Sequence, residues 1–160
     1  MPIAYIDDIT ERYQRLGYPP YRWYRADTPP AFAALKKPLS QSRIGMLGTC
    51  GAYAVGQRAY YYKDDSSIRQ IPSDTVQGDL RFSHITENYL VDGKQDPNCI
   101  FPLESLRSLS QDGEIGELPE VVLSCMGGVY SQRRVREEML PEVAGVFQSQ
   151  NLDAVLLVPM

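Results

Sequence analysis

The chain has 160 residues, of which 43% are hydrophobic and 22% charged, with a net charge of −4. That is enough for one ordinary domain with its own core, and the acid excess argues against a nucleic-acid binder, which needs clustered Lys and Arg. No apolar run approaches the ~18–20 residues of a membrane span, and MPIAYIDDITERYQ carries acids where a secretory signal carries a basic segment and an apolar core, so a cytoplasmic protein is expected.

Residues 1–42 differ from the rest. ERYQRLGYPPYRWYRADTPPAFAALKKPLSQS is rich in Pro, Tyr and Arg and holds the sole tryptophan, Trp23. Pro19-Pro20 and Pro29-Pro30 forbid continuous helix and remove ladder donors. So many aromatic rings do not suit a free tail. An irregular aromatic and Pro-rich arm is expected, packed on the domain or on a partner.

At Arg43 the pattern changes. RIGMLGT is a short apolar run that breaks into Cys50-Gly51-Ala52. VVLSCMGG, from Val121 to Gly128, repeats that design, and LDAVLLVP is a third run. Near-continuous apolar runs suit parallel strands covered on both faces. Helical patterns lie between them. PLESLRSLSQDGEIGEL sets Leu103, Leu106 and Leu109 along one side, with Asp112-Gly113 as a stop. SQRRVREEMLPEVAGVFQSQN sets Val135, Met139, Val143 and Phe147 in one stripe. Ser131 is suited to cap it and Asn151 to end it, while Pro141 must kink or restart it. Between Gly56 and Pro97, SIRQIP reads as a short strand and RFSHITENYLVDGKQDPN mostly as loop. A loop that long in a compact domain is usually functional.

This alternation predicts an α/β domain over residues 43–160. It reads as the first part of a doubly wound, Rossmann-like parallel sheet with helices on both faces and right-handed crossovers. In such a sheet the strand carboxyl ends open onto one edge, where ligands bind. Cys50 follows the first run, Cys125 the second, and whatever succeeds Met160 would follow the third.

Cys50, Cys99 and Cys125 are widely spaced and form no C-x-x-C pair, which fits neither a disulfide framework nor a zinc site. His84 is the one histidine, so a multi-histidine metal site within one chain is excluded. Free cysteines usually behave as small hydrophobes, but a shared sheet edge favours a role there. Gly45, Gly48 and Gly51 are spaced by three, which points to tight packing more than to a phosphate cradle. In RFSHI, His84 stands beside Arg81 and Ser83. A lone histidine is more often structural, yet this one is placed to hold a proton near neutral pH and pass it to a leaving group. Arg81 is suited to clamp a carboxylate. Asp64, Asp65, Asp74 and Asp79 read as turn and cap residues.

Taken in order, YPPYRW, KKPLSQSRIGMLGTCGAY, SIRQIPSD, RFSHI, DPNCIFPLESLRSLSQDGEIGEL, CMGG and DAVLLVP resemble the glycine/sarcosine/betaine/D-proline reductase family. The resemblance is to its selenoprotein B type subunits and runs along nearly the whole chain. The layout is closer to the short D-proline type than to the longer glycine type. It implies an oxidoreductase that reductively cleaves a C–N bond of an amino acid or amine. It implies that DAVLLVP runs directly into a selenocysteine or cysteine. The nucleophile is therefore expected immediately after Met160; the chain is read as cut at a UGA codon, with a natively short protein as the alternative, and is expected to be inactive as it stands. The resemblance also implies a dithiol reductant and a pyruvoyl group on a separate partner subunit.

Mapped residue by residue, it gives His84 proton delivery and gives Arg81 and Ser83 the orienting of substrate. Cys50 and Gly51 would line one side of the pocket rim, with Cys125 and Gly127 opposite. Cys99, in DPNCIFP, is read as structural. The apolar strand LDAVLLVP, left at a sheet edge, predicts a homo-oligomer that buries it. Two other readings stay open: a non-catalytic binding or scaffold protein that keeps the first half of the fold, and a small thiol redox protein using Cys50 and Cys125.

Overall fold

The computed structural model describes residues 3–20, 24–31 and 33–160. Trp23 lies outside the described residues. The chain divides into two compact units, Met1–Ala33 and Ala34–Met160.

In the first unit, the irregular arm expected from the prolines gives way to a helix, α1 (Tyr5–Arg15). Asp7 and Asp8 sit in its first turn and Arg12 and Arg15 in its last, each sign at the helix end it favours. Arg15 pairs with Glu11 one turn back at 2.5 Å. Gly17, at φ 83, follows the last turn, and the proline pair comes only after it. Nothing therefore breaks the helix before Arg15. No residue of α1 is buried.

The second unit holds six strands: β1 (Ile44–Gly48), β2 (Ala52–Ala54), β3 (Arg69–Pro72), β4 (Leu80–Phe82), β5 (Val121–Ser124) and β6 (Ala154–Val158). Four form one sheet in the order β3-β5-β1-β6. The three apolar runs, β5, β1 and β6, are parallel neighbours. β3 departs from the all-parallel expectation, because it runs antiparallel to β5. Parallel neighbours need a crossover that carries the chain back along the sheet. No helix stands between β2 and β3 to make one. The chain enters β3 from the carboxyl edge instead, with Arg69 opposite Ser124. β2 and β4 make a separate antiparallel pair, with Tyr53 opposite Arg81.

Helices cover both faces of the four-stranded sheet. α2 (Val91–Gln95) is a single short piece within the 56–97 stretch, and α3 (Leu103–Gln111) follows it. Met46 and Val122 pack with Phe101, Leu103 and Leu106 in one cluster. Their strand neighbours Leu47 and Leu123 pack with Met139 and Val143 in another. Successive strand residues point to opposite faces, so the two clusters lie on the two sides of the sheet. Phe101 is wholly buried, and full burial of such a side chain is worth ~1.5–3 kcal/mol. Leu109, the third leucine of the α3 stripe, remains exposed.

The last helical stretch runs from α4 (Gln132–Arg134) through a wider π turn at Val135–Met139 into α5 (Leu140–Ser149). The Ser131 side chain accepts the Arg134 N–H, as its capping position predicts. Asn151, at φ 52, turns the chain out of α5 toward β6. Pro141 neither breaks nor ends the stretch. The π turn just before it opens the ladder where the ring would meet the carbonyl one turn back. β6 lies at the sheet edge, and its Leu156 and Leu157 are exposed. Among the described residues, no helix is long and apolar enough to cross a membrane.

Candidate functional site at the carboxyl edge of the sheet

β1, β5 and β6 deliver Thr49, Met126-Gly127 and Pro159-Met160 to one edge. Thr49 joins them. Its N–H donates to the Val158 carbonyl at 3.0 Å, and its carbonyl accepts the Gly127 N–H at 2.8 Å. Its hydroxyl oxygen accepts the Met160 N–H at 2.8 Å. A Cβ placed on Gly127 would lie 2.9 Å from the Met160 oxygen, 3.0 Å from the Thr49 oxygen and 3.2 Å from His84 Nε2. Three polar atoms from three parts of the chain thus surround one point that only glycine leaves open.

His84 reaches this point from β4. The next residue after that strand, Ser83, donates its N–H to the Gly51 carbonyl at 3.0 Å and its hydroxyl to the Tyr60 carbonyl at 3.1 Å. Gly51 sits at φ 68, and a Cβ there would stand 2.1 Å from the Ser83 oxygen. Its N–H in turn donates to the Cys125 carbonyl at 3.0 Å. Gly51 is therefore the joint that holds β4 against the ends of β1 and β5. Tyr60 completes the support: its hydroxyl donates to the Ser124 carbonyl at 2.6 Å, and the Arg69 guanidinium lies 4.2 Å above its ring.

His84 is only 7% exposed. Nδ1 accepts the Thr86 N–H at 3.1 Å and lies 2.7 Å from the Thr86 hydroxyl. Nε2 is buried with no hydrogen-bond partner among the described residues. Burial pushes the imidazole below its ordinary pKa. The nearby Thr49 carbonyl opposes that shift, and so, more weakly, does Glu87. The Thr49 carbonyl is already engaged by Gly127 and makes no well-directed bond to Nε2.

The other residues singled out from sequence fall in different places. Cys50 and Cys125 are both buried and belong to the two clusters on opposite sides of the sheet. Burial pushes the Cys50 thiol up to about 12 and the Cys125 thiol up to about 11. Neither is a thiolate near neutral pH, so neither has the ionised sulfur that thiol exchange requires. Both sulfurs are free. That weighs against the thiol redox reading. Arg81 is on the exposed side of β4. Its guanidinium donates to the Gly78 and Leu80 carbonyls at 2.7 and 2.8 Å. It lines a groove with Tyr53, Gln77 and Lys94, whereas the point at Gly127 is surrounded by His84, Thr49 and Met160. Cys99 is exposed in a short turn, its N–H donated to the Asp96 carbonyl. Thr49 and Thr86 were not legible as site residues; a polar side chain at the end of an apolar run is the only trace Thr49 leaves in the sequence.

A mixed α/β sheet whose parallel strand ends gather around a buried imidazole is the kind of scaffold that holds small-molecule chemistry at its carboxyl edge. Comparison with known proteins narrows this. The family model described as glycine/sarcosine/betaine reductase selenoprotein B matches residues 82–159, which include His84, Gly127 and all of β5 and β6. The D-proline reductase subunit gamma of Acetoanaerobium sticklandii is 30% identical over 129 residues, which cover 81% of this chain and 53% of that protein. The chain thus spans about half the length of that relative. No solved structure matches. Together the two matches support a place in the reductase selenoprotein B family.

Proposed function

We propose that the chain is part of a reductase subunit that cleaves the C–N bond of an amino acid or amine at the carboxyl edge of its sheet, with D-proline the first substrate to test. The convergence of Thr49, Gly127, Met160 and the unpartnered His84 Nε2 carries this reading, because it gathers polar groups where the family resemblance puts the reacting residue. The overall reaction breaks one C–N bond and forms one C–H and one N–H bond. Two electrons and two protons come from a dithiol, which leaves as a disulfide. For D-proline, cleavage between nitrogen and the α-carbon opens the ring to 5-aminopentanoate.

In the family resemblance, the residue after Met160 is a selenocysteine or cysteine, whose ionised side chain supplies the nucleophile. The residues present fit that group. Thr49 fixes the Met160 N–H, so the next residue leaves the strand beside His84 and the open point over Gly127. Thr49 and Gly51 hold the strand ends in place, and His84 turns Nε2 toward the reacting position. The closed, buried setting of the ring keeps water from competing for it. A partner subunit with a pyruvoyl group would hold the substrate amine. The unpaired edge of β6, with Leu156 and Leu157 exposed, is the surface on which a second copy or the rest of a longer chain would pair. A cytoplasmic setting, where thiols stay reduced, suits the buried free cysteines.

The reading frame past the Met160 codon, together with the selenium content of the protein isolated from its source, tests this. A TGA codon followed by an open frame with a further cysteine, and selenium bound to the chain, is the expected result. A TAA or TAG codon with no continuing frame overturns it.

A further inference from the structure

We infer that Thr86 is a positioning residue that holds His84 as the neutral tautomer with its hydrogen on Nε2, so that the ring meets an anionic group at the sheet edge as a fixed hydrogen-bond donor. This deepens the proposed function and rests on it only for what the donor faces. The Thr86 N–H points at Nδ1 from 3.1 Å. An N–H cannot donate to a nitrogen that already carries a hydrogen, so Nδ1 is the bare nitrogen. The Thr86 hydroxyl, 2.7 Å away, can then only donate to the same lone pair. With Nδ1 serving as acceptor, the one hydrogen of the neutral ring sits on Nε2.

The same contacts resist a second proton. Protonating Nδ1 would set its hydrogen against the Thr86 N–H and force the hydroxyl to turn round. It would also place a cation on a buried residue, His84 being 7% exposed. The charged groups nearby do little to help it. The Thr49 carbonyl and, more weakly, Glu87 favour the cation, but the carbonyl makes no well-directed bond to Nε2, and Glu87 is about half exposed and paired with Lys94. A neutral imidazole that donates through Nε2 stabilises negative charge without becoming charged itself. Proton delivery from His84 would instead require the imidazolium. The ligand class this donor suits is an anion, such as a carboxylate or an ionised sulfur or selenium.

The chain offers an unambiguous readout, because His84 is its sole histidine. The experiment is a nitrogen-detected NMR titration of the full chain labelled at histidine and made without a histidine tag. The expected spectrum at pH 7 shows a bare Nδ1 and a hydrogen on Nε2, with protonation below the ordinary histidine midpoint of 6.5. Thr86→Val removes the hydroxyl and moves that midpoint up, while Thr86→Ser restores it. A wild-type ring with its hydrogen on Nδ1, or already cationic at pH 7, overturns the inference. So does a Thr86→Val midpoint equal to that of the wild type. None of these readings depends on turnover, so failure here is separable from failure of the proposed reaction.

Discussion

Thr49 holds Met160 across the sheet: its hydroxyl oxygen accepts the Met160 N–H at 2.8 Å, although the two residues are 111 positions apart. The contact fixes the end of β6 against the end of β1. Thr49→Val keeps the shape and removes the acceptor, at a cost of about 1 kcal/mol. Hydrogen exchange at the Met160 amide is then expected to accelerate roughly fivefold, with Thr49→Ser close to wild type. Unchanged protection in Thr49→Val would show that the strand end is held by other means.

Gly51 is the position where the site tolerates least. At φ 68, with the Ser83 oxygen 2.1 Å from where a Cβ would stand, alanine meets both backbone strain and a clash with main chain. Gly51→Ala is expected to lower stability by about 1–3 kcal/mol. It should also disturb the His84 resonances, since Ser83 is the next residue. Urea unfolding measures the first effect and the histidine spectrum the second. A variant as stable as wild type, with an unmoved histidine signal, would contradict this role.

The buried thiols predict a reactivity pattern and a pH dependence. Cys99 is exposed, whereas Cys50 and Cys125 are buried with raised pKa values of about 12 and about 11. An alkylating reagent at pH 8 is expected to modify Cys99 first in the native chain and all three only on unfolding. In the unfolded chain these thiols ionise near their ordinary value of 9.0. Above that pH the unfolded state gives up protons that the folded state keeps. Stability is therefore fully present below about pH 9 and is lost as pH rises toward 11–12. Rapid native labelling of Cys50 would contradict the packing described.

Some of this was written plainly in the sequence. β1, β5 and β6 are apolar runs long enough and continuous enough to read as parallel strands, and Ser131 and Asn151 mark the limits of the last helical stretch by their own chemistry. Other features depend on distant partners. The direction of β3 is set by where the loop before it returns to the sheet, which its four residues do not encode. α1 was hidden by the prolines that follow it, although its own eleven residues carry well-placed end charges. His84 stood out because it is alone, but Thr49 acquires meaning only when β6 lies beside β1. Thr86 does so only when the ring folds back onto its own backbone. Cys50 and Cys125 share a sheet edge in sequence order, and the pleat then sends them to opposite faces.

The most direct test of the proposed function is turnover of D-proline by the product of the reading frame carried past the Met160 codon, made with selenocysteine recoding and supplied with a pyruvoyl-bearing subunit and a dithiol. The account predicts 5-aminopentanoate from the wild type. It also predicts a loss of roughly a hundredfold or more in kcat for His84→Ala, and no change for Glu104→Gln on the exposed side of α3. Product formed as fast by His84→Ala as by the wild type would contradict it.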